Sequence, residues 1–116
     1  MADKQGDIDR VAKILDTHAS KSFVKRILTY QGPGKSPTLD LGGGQHATHK
    51  MAWTEADGRY FVYPTVLQQT DGTLKDYGNE AWNHVVKSGN YIEMPSSQDA
   101  DWFSQNYKLI WPQNLR

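Results

Sequence analysis

Residues 47–67 read ATHKMAWTEADGRYFVYPTVL, and this stretch decides the fold. Asp57-Gly58 stands between two extended runs, and this dipeptide favours a type I′ turn, in which both central residues need a positive φ. The sequence therefore predicts a β-hairpin with strands at about 46–55 and 59–68. A two-residue turn sets the cross-strand pairs. These are Ala56 with Arg59, then Trp53 with Val62, Met51 with Pro64 and His49 with Val66 on one face, and Ala52 with Tyr63 and Thr54 with Phe61 on the other.

Helical patterns lie on both sides of the hairpin. Residues 8–18 and 23–28 carry apolar side chains at helical spacing, which predicts either two helices or one kinked helix. Residues 79–88 predict a further helix, with Asn79 as its N-cap and Gly89 as the left-handed residue that follows it. A last helix is predicted to begin after a serine cap, Ser96 or Ser97, and to end at Trp111-Pro112.

Short strands and turns complete the predicted domain. Residues 39–41 and 91–94 are predicted as short strands, Asp71-Gly72 as a turn, and the Pro- and Gly-rich run 31–37 as a loop. The predicted class is α+β, a small and mainly antiparallel sheet built on the central β-hairpin with helices packed against it. We expect a single domain over 1–116, in which a helical segment at 1–30 precedes an α+β module at 37–111.

Composition excludes several classes of function. The chain has 116 residues, the size of one domain, with 13 Lys+Arg against 13 Asp+Glu. A formal net charge of zero makes nucleic-acid binding an unexpected role, because there is no global positive field. The absence of cysteine rules out disulfides, thiolate metal sites and cysteine nucleophiles. With no long apolar window and no apolar leader, we expect neither membrane insertion nor secretion.

Histidines are the main candidates for chemistry. His46 and His49 stand three apart, and on a regular strand they point to opposite faces, so they do not form a metal pair. We interpret His49 as a partly buried histidine that makes a hydrogen bond. Since no serine lies in a nucleophile elbow, we expect no catalytic residue, no metal and no cofactor. One enzymatic hypothesis stays open, a His-dependent hydrolase in which His49 acts as a general base or as a metal ligand beside Glu55 or Asp40.

Aromatic residues are more numerous than one small core needs. The chain has four tryptophans and six tyrosines, and amphipathic aromatics are enriched at protein contact surfaces. Trp82 and Trp102 each have an apolar neighbour in their helix, so each either seals an edge of the core or docks a partner. The predicted protein-binding residues are Trp53, Tyr63, Trp82, Trp102 and Tyr107.

The chain resembles a small module found in proteins of tailed bacteriophages. The resemblance rests on four runs, Thr48-His49-Lys50-Met51, Asp57-Gly58, Tyr63-Pro64-Thr65-Val66 and Ala100-Asp101-Trp102-Phe103-x-x-Asn106-Tyr107-Lys108, and spans about 23–111. Such modules occur alone and within large virion proteins. They have no assigned catalytic residues, so the resemblance implies none here.

The resemblance implies a bacteriophage-encoded, non-enzymatic protein-binding domain, acting as an accessory or structural virion component. Its expected partner is another virion protein, and its expected location is the virion or the host cytoplasm. An alternative with the same fold is a small phage protein that binds and inhibits a host or anti-phage defence enzyme. The His-dependent hydrolase is the second alternative, and a homo-oligomer stays possible under each hypothesis.

Overall fold

The computed structural model describes residues 5–30, 39–42, 45–47 and 49–112, and the predicted loop at 31–37 lies outside them. Within these ranges the chain forms four helices, seven strands and two 3₁₀ turns. The helices are α1 (Gln5–Thr17), α2 (Ser22–Leu28), α3 (Ala81–Ser88) and α4 (Ser97–Asn106). The strands are β1 (Leu39–Gly42), β2 (Gln45–Ala47), β3 (Met51–Ala56), β4 (Arg59–Pro64), β5 (Val66–Gln68), β6 (Leu74–Asp76) and β7 (Ile92–Met94). The 3₁₀ turns are Gly78–Glu80 and Tyr107–Ile110.

The predicted hairpin forms between β3 and β4, but its first strand begins at Met51 and not at about 46, because Gln45–Ala47 pair with β1. Its ladder runs from Ala56 opposite Arg59 to Met51 opposite Pro64, as the two-residue turn requires. Asp57 and Gly58 have φ values of 54° and 75°, which confirms the type I′ turn. The predicted register is therefore confirmed over the whole of β3.

Beyond Pro64 the predicted strand divides. Proline has no N–H to give to a ladder, and after the Thr65 N–H bonds to the Lys50 carbonyl at 2.9 Å the chain leaves the hairpin. Residues Val66–Gln68 then pair with β6, which places Val66 opposite Asp76. The predicted pairing of His49 with Val66 is therefore wrong, because Val66 belongs to a second hairpin and pairs with β6.

The central sheet has three strands in the order β3, β4, β7, and each neighbouring pair is antiparallel. β1 pairs with β2, and β5 pairs with β6 across the predicted turn at Asp71-Gly72, where Gly72 has a φ of 87°. The α+β class with an antiparallel hairpin and packed helices is confirmed. None of the helices in the described ranges has the length and apolar character needed to cross a membrane.

One face of the three-stranded sheet packs on α1, α2 and α4. Val11 and Leu15 of α1 share this core with Val62 of β4 and with Phe103 of α4. The described parts of the N-terminal helical segment and of the α+β module thus share one core. The core cluster comprises Val11, Leu15, Phe23, Val24, Ile27, Val62, Ile92, Met94, Ala100, Phe103, Tyr107 and Trp111.

The two ends of the described chain meet in this core. α1 packs against the 3₁₀ turn Tyr107–Ile110. The indole N–H of Trp111 donates to the carbonyl of Ile27 at 2.7 Å, and this hydrogen bond is buried. A residue near the end of the chain therefore completes the packing of helices that lie near its start.

The helix limits show whether the first segment is one helix or two and which serine caps the last helix. α1 and α2 are two separate helices, and Ser96 caps α4 by accepting the Asp99 N–H at 3.1 Å. The predicted N-cap at Asn79 is wrong, because Asp76 accepts the Gly78 N–H at 2.9 Å and a 3₁₀ turn forms first. Gly89 follows α3 with a φ of 74°, as predicted.

Replacing Gly58 by alanine is expected to lower the free energy of unfolding by about 1–2 kcal/mol, because an L-residue at a positive φ is strained. Gly58 has open space around it, so the backbone alone causes the loss. Urea unfolding measures it, with Gly6→Ala as the control, since Gly6 lies in α1 with equally open space. The control is expected to leave stability unchanged or slightly raised. Equal stabilities of the two variants would contradict the type I′ geometry.

Candidate functional site

The face of the sheet that points away from the core carries a group of aromatic rings. Phe61 and Tyr63 alternate onto this face of β4, and Trp82 of α3 packs over both, with ring centroids 5.2 and 5.3 Å away. Tyr91, just before β7, lies 5.1 Å from Phe61 and 5.6 Å from Trp82. We call Phe61, Tyr63, Trp82 and Tyr91 the aromatic patch.

The aromatic patch has a buried floor and an accessible rim. Phe61 is only 5% exposed, whereas Tyr63, Trp82 and Tyr91 are half-buried. Val86, one turn after Trp82 on the same side of α3, is 45% exposed. α3 is held by the adjacent side of the helix, where Ala81 and Val85 are buried. Trp82 and Val86 therefore present apolar surface to solvent from a fixed helix.

Two cations frame the aromatic patch. The guanidinium of Arg59 lies 5.4 Å from the Phe61 ring, and the ammonium of Lys21 lies 5.5 Å from the Tyr91 ring. Arg59 also binds both carboxylate oxygens of Glu93, and these hydrogen bonds hold the pKa of Glu93 below its usual value. Lys21 donates to the Gly89 carbonyl at 3.1 Å. An apolar centre with a charged rim is the usual anatomy of a protein-binding surface.

The structure brings together only two of the five predicted binding residues, Tyr63 and Trp82. Trp53 is 36% exposed on the other face of the sheet, where its indole N–H donates to Asp101 at 3.2 Å. Trp102 is half-buried against the core, with the Arg10 guanidinium 4.2 Å from its ring. Trp53 and Trp102 therefore lie apart from the aromatic patch.

Tyr107 lies in the core instead of on a surface. It is 3% exposed, and burial raises the pKa of its hydroxyl well above the usual value. Its ring packs near Phe103 and Trp111. Ala100, Phe103 and Tyr107 follow one helical face, and that face is the one that α4 and the turn after it bury. Tyr107 is therefore removed from the candidate binding residues.

His49 is buried among aromatic rings, more deeply than the partly buried position that the sequence predicts for it. It is 8% exposed, with ring centroids 5.6 Å from Tyr30 and 5.1 Å from Trp111, and it makes a hydrogen bond with the backbone of Arg26. Burial, together with the positive charges of Arg26 and Lys108, lowers the pKa of the imidazole to about 3. His49 is neutral at pH 7.

The hydrolase hypothesis gains no support from this setting. The charged groups that shift the pKa of His49 are cations, and Glu55 is an exposed residue of β3. The side chains of His46 and Asp40 lie outside the described part of the chain. In the ranges that the structure describes, no three His, Cys, Asp or Glu side chains are placed to hold a metal ion.

Sequence reasoning missed three residues of this surface, Phe61, Tyr91 and Val86. Two of them carry a signal in the sequence, since Phe61 shares a strand face with Tyr63 and Val86 shares a helix side with Trp82. Tyr91 carries no such signal, because its place beside Trp82 depends on how β7 and α3 pack against β4.

Comparisons with known proteins give no match: no protein-family model, no curated protein and no solved structure is significantly similar to this chain. The resemblance to the module of tailed bacteriophages stays a prediction from sequence motifs. The described surface is therefore the physical basis for proposing a function.

Proposed function

We propose that this chain is a bacteriophage-encoded, non-enzymatic protein-binding domain that serves as an accessory component of the virion. The phage origin and the virion role rest on the motif resemblance described above. The binding role rests on the aromatic patch, where the half-buried rings of Trp82 and Tyr91 pack on Phe61 and Trp82 also packs on Tyr63. The exposed Val86 extends this surface along α3. This patch is the single observation that carries the proposal.

The aromatic patch has the physical properties of a docking surface. Tyr and Trp bury large areas with few rotatable bonds, and they are enriched among residues that dominate binding energy. The rings of Tyr63, Trp82 and Tyr91 already pack on one another, so binding costs little further ordering of side chains. The paired Arg59 and Glu93 at the rim supply polar groups that orient a partner.

Substitutions in the aromatic patch are expected to weaken binding to the partner by about 2 kcal/mol, or about 30-fold in affinity. Trp82→Ala removes the central ring, and Val86→Lys places a charge on the apolar rim while leaving every ring in place. The partner is obtained by affinity purification of the tagged chain from infected cells. Its affinity for each variant is then measured by calorimetry.

Leu28→Lys is the matched control for Val86→Lys. Leu28 is 40% exposed and, like Val86, lies near the end of a helix, but it belongs to α2 on the other side of the sheet. It is expected to bind as the unaltered chain does. If Trp82→Ala and Val86→Lys fold and bind normally, the aromatic patch is not the docking surface.

Mass spectrometry of purified particles separates the virion role from the inhibitor role. A virion component is expected in the particles at a fixed copy number, and it co-purifies with another virion protein. If the chain is missing from particles and co-purifies with a host or defence enzyme, the virion role is overturned. The aromatic patch is then the inhibitory surface.

A further inference from the structure

A groove of about 310 Å³ lies between α1 and β7. One wall consists of α1 residues at helical spacing, so they share one side of the helix. The other wall is β7 with the start of α4. The groove is lined by Arg10, Lys13, Ile14, Thr17 and His18 on the first side and by Ile92, Glu93, Met94, Pro95 and Asp99 on the second.

The groove follows the backbone edge of β7. Ile92 and Met94 point to the core face of the sheet and Glu93 points to the other face, yet all three line the groove. A space that contacts side chains of both faces lies along the edge of a strand. β7 is the last strand of the sheet and, in the described part of the chain, it pairs with β4 alone. The groove therefore borders the side of β7 that has no neighbouring strand in the described part of the chain, where Ile92 and Met94 are buried and Glu93 is exposed.

The charges of the groove favour an acidic occupant. Arg10 forms an ion pair with Asp99, and Glu93 forms one with Arg59, so neither pair adds net charge to the groove. Lys13 is exposed and forms no ion pair with a described residue. Burial and the nearby Lys21 lower the pKa of the partly buried His18, which favours its neutral form. Among the charged residues of the lining, these ion pairs leave Lys13 unpaired on the α1 wall.

We propose that this groove binds an extended peptide segment of a partner protein, which adds to β7 as a new strand and places an acidic side chain against Lys13. Main-chain hydrogen bonds to the edge of β7 supply affinity, and every second side chain of the peptide faces α1. On that side Ile14 offers an apolar contact beside Lys13. The groove shares Glu93 with the rim of the aromatic patch but none of its four rings, and the proposal does not depend on the proposed function.

The test begins with a display library of short random peptides selected on the full chain. The enriched peptides are expected to carry Asp or Glu and to alternate apolar with polar residues. A synthetic peptide of the enriched sequence is then titrated, and amide hydrogen exchange is measured. Exchange is expected to slow at the backbone of Ile92–Met94.

Two groove variants sharpen the test. Lys13→Glu is expected to lower the affinity for the acidic peptide about tenfold or more. A second peptide selection on this variant is expected to enrich Lys or Arg in place of Asp or Glu. Thr17→Trp places a large side chain in the groove from an exposed position and is expected to abolish binding. Lys25→Glu, the same change at an exposed position of α2, is the control and is expected to have no effect.

Three results would overturn the proposal. The first is a selection that enriches no peptide, and the second is a peptide whose binding slows exchange at Tyr63 and Trp82 instead of at β7. The third is a dimer in sedimentation experiments whose formation slows exchange at β7. In that case a second copy of the chain, and not a partner peptide, occupies the groove. Loss of peptide binding in Thr17→Trp with normal partner binding through the aromatic patch would separate the two surfaces.

Discussion

Lowering the pH from 7 to 4 is expected to remove about 3 kcal/mol from the free energy of unfolding through His49 alone. Burial among Tyr30 and Trp111 lowers the pKa of this imidazole in the folded chain to about 3, against a usual value of 6.5. The unfolded chain therefore takes up a proton as the pH falls below 6.5, and the folded chain does not. The stability that depends on a neutral His49 is complete above pH 6.5 and is lost progressively down to about pH 3.

The window between pH 6.5 and pH 5 separates this effect from the titration of the carboxylates, and His18, whose pKa is also lowered by burial, adds a loss of the same sign there. Hydrogen bonds hold the pKa values of Asp71, Asp76 and Glu93 below their usual values. The stability that these carboxylates contribute is therefore lost only at a lower pH than this window. Urea unfolding across this window is expected to show a loss of about 2 kcal/mol by pH 5. His49→Gln is the control, because glutamine does not titrate, and it is expected to flatten this dependence. An imidazole of His49 that titrates near pH 6.5 by NMR would contradict the prediction.

Phe103→Ala is expected to destabilise the chain by about 3–5 kcal/mol, because truncating a buried aromatic loses transfer energy and leaves a cavity. Phe103 is 0% exposed and lies in the core between the sheet and the helices. A loss of this size approaches the whole stability of a typical domain, about 5–15 kcal/mol. Thermal unfolding followed by circular dichroism measures the change.

Two comparison variants show whether the loss of stability in Phe103→Ala comes from the loss of buried volume. Phe103→Leu keeps most of the volume and is expected to cost about 1–2 kcal/mol. Leu28→Ala removes apolar atoms at a position that is 40% exposed, and it is expected to change stability by less than about 0.5 kcal/mol. A loss below about 1 kcal/mol in Phe103→Ala would mean that this core position is solvated or loosely packed.

Local turn chemistry made the hairpin predictable. Asp57-Gly58 selects the type I′ turn, and once that turn is fixed, the register follows to Met51 and Pro64. Beyond Pro64 the outcome depends on competition between partners, and Val66 pairs with β6, whose residues follow a second turn. The missed cap at Asn79 has a similar cause, since the carboxylate of Asp76 takes the nearby backbone N–H first.

The candidate site was predictable only in part. Tyr63 and Trp82 were chosen for their chemistry, but their contact depends on α3 packing over the outer face of β4, a long-range event that spacing does not encode. Tyr107 shows the opposite case, because its helical spacing with Ala100 and Phe103 already indicated a core face. An excess of aromatic residues indicates a surface without telling which rings belong to it.

The bond between Trp111 and Ile27 has a consequence for synthesis of the protein. Because the indole completes the packing around α2, and α1 packs against the turn Tyr107–Ile110, the first helices have no finished core while the chain is still being made. Contacts between residues so far apart in sequence form slowly. The domain therefore closes only after Trp111 has emerged from the ribosome, and until then the apolar sides of α1 and α2 remain open to chaperones.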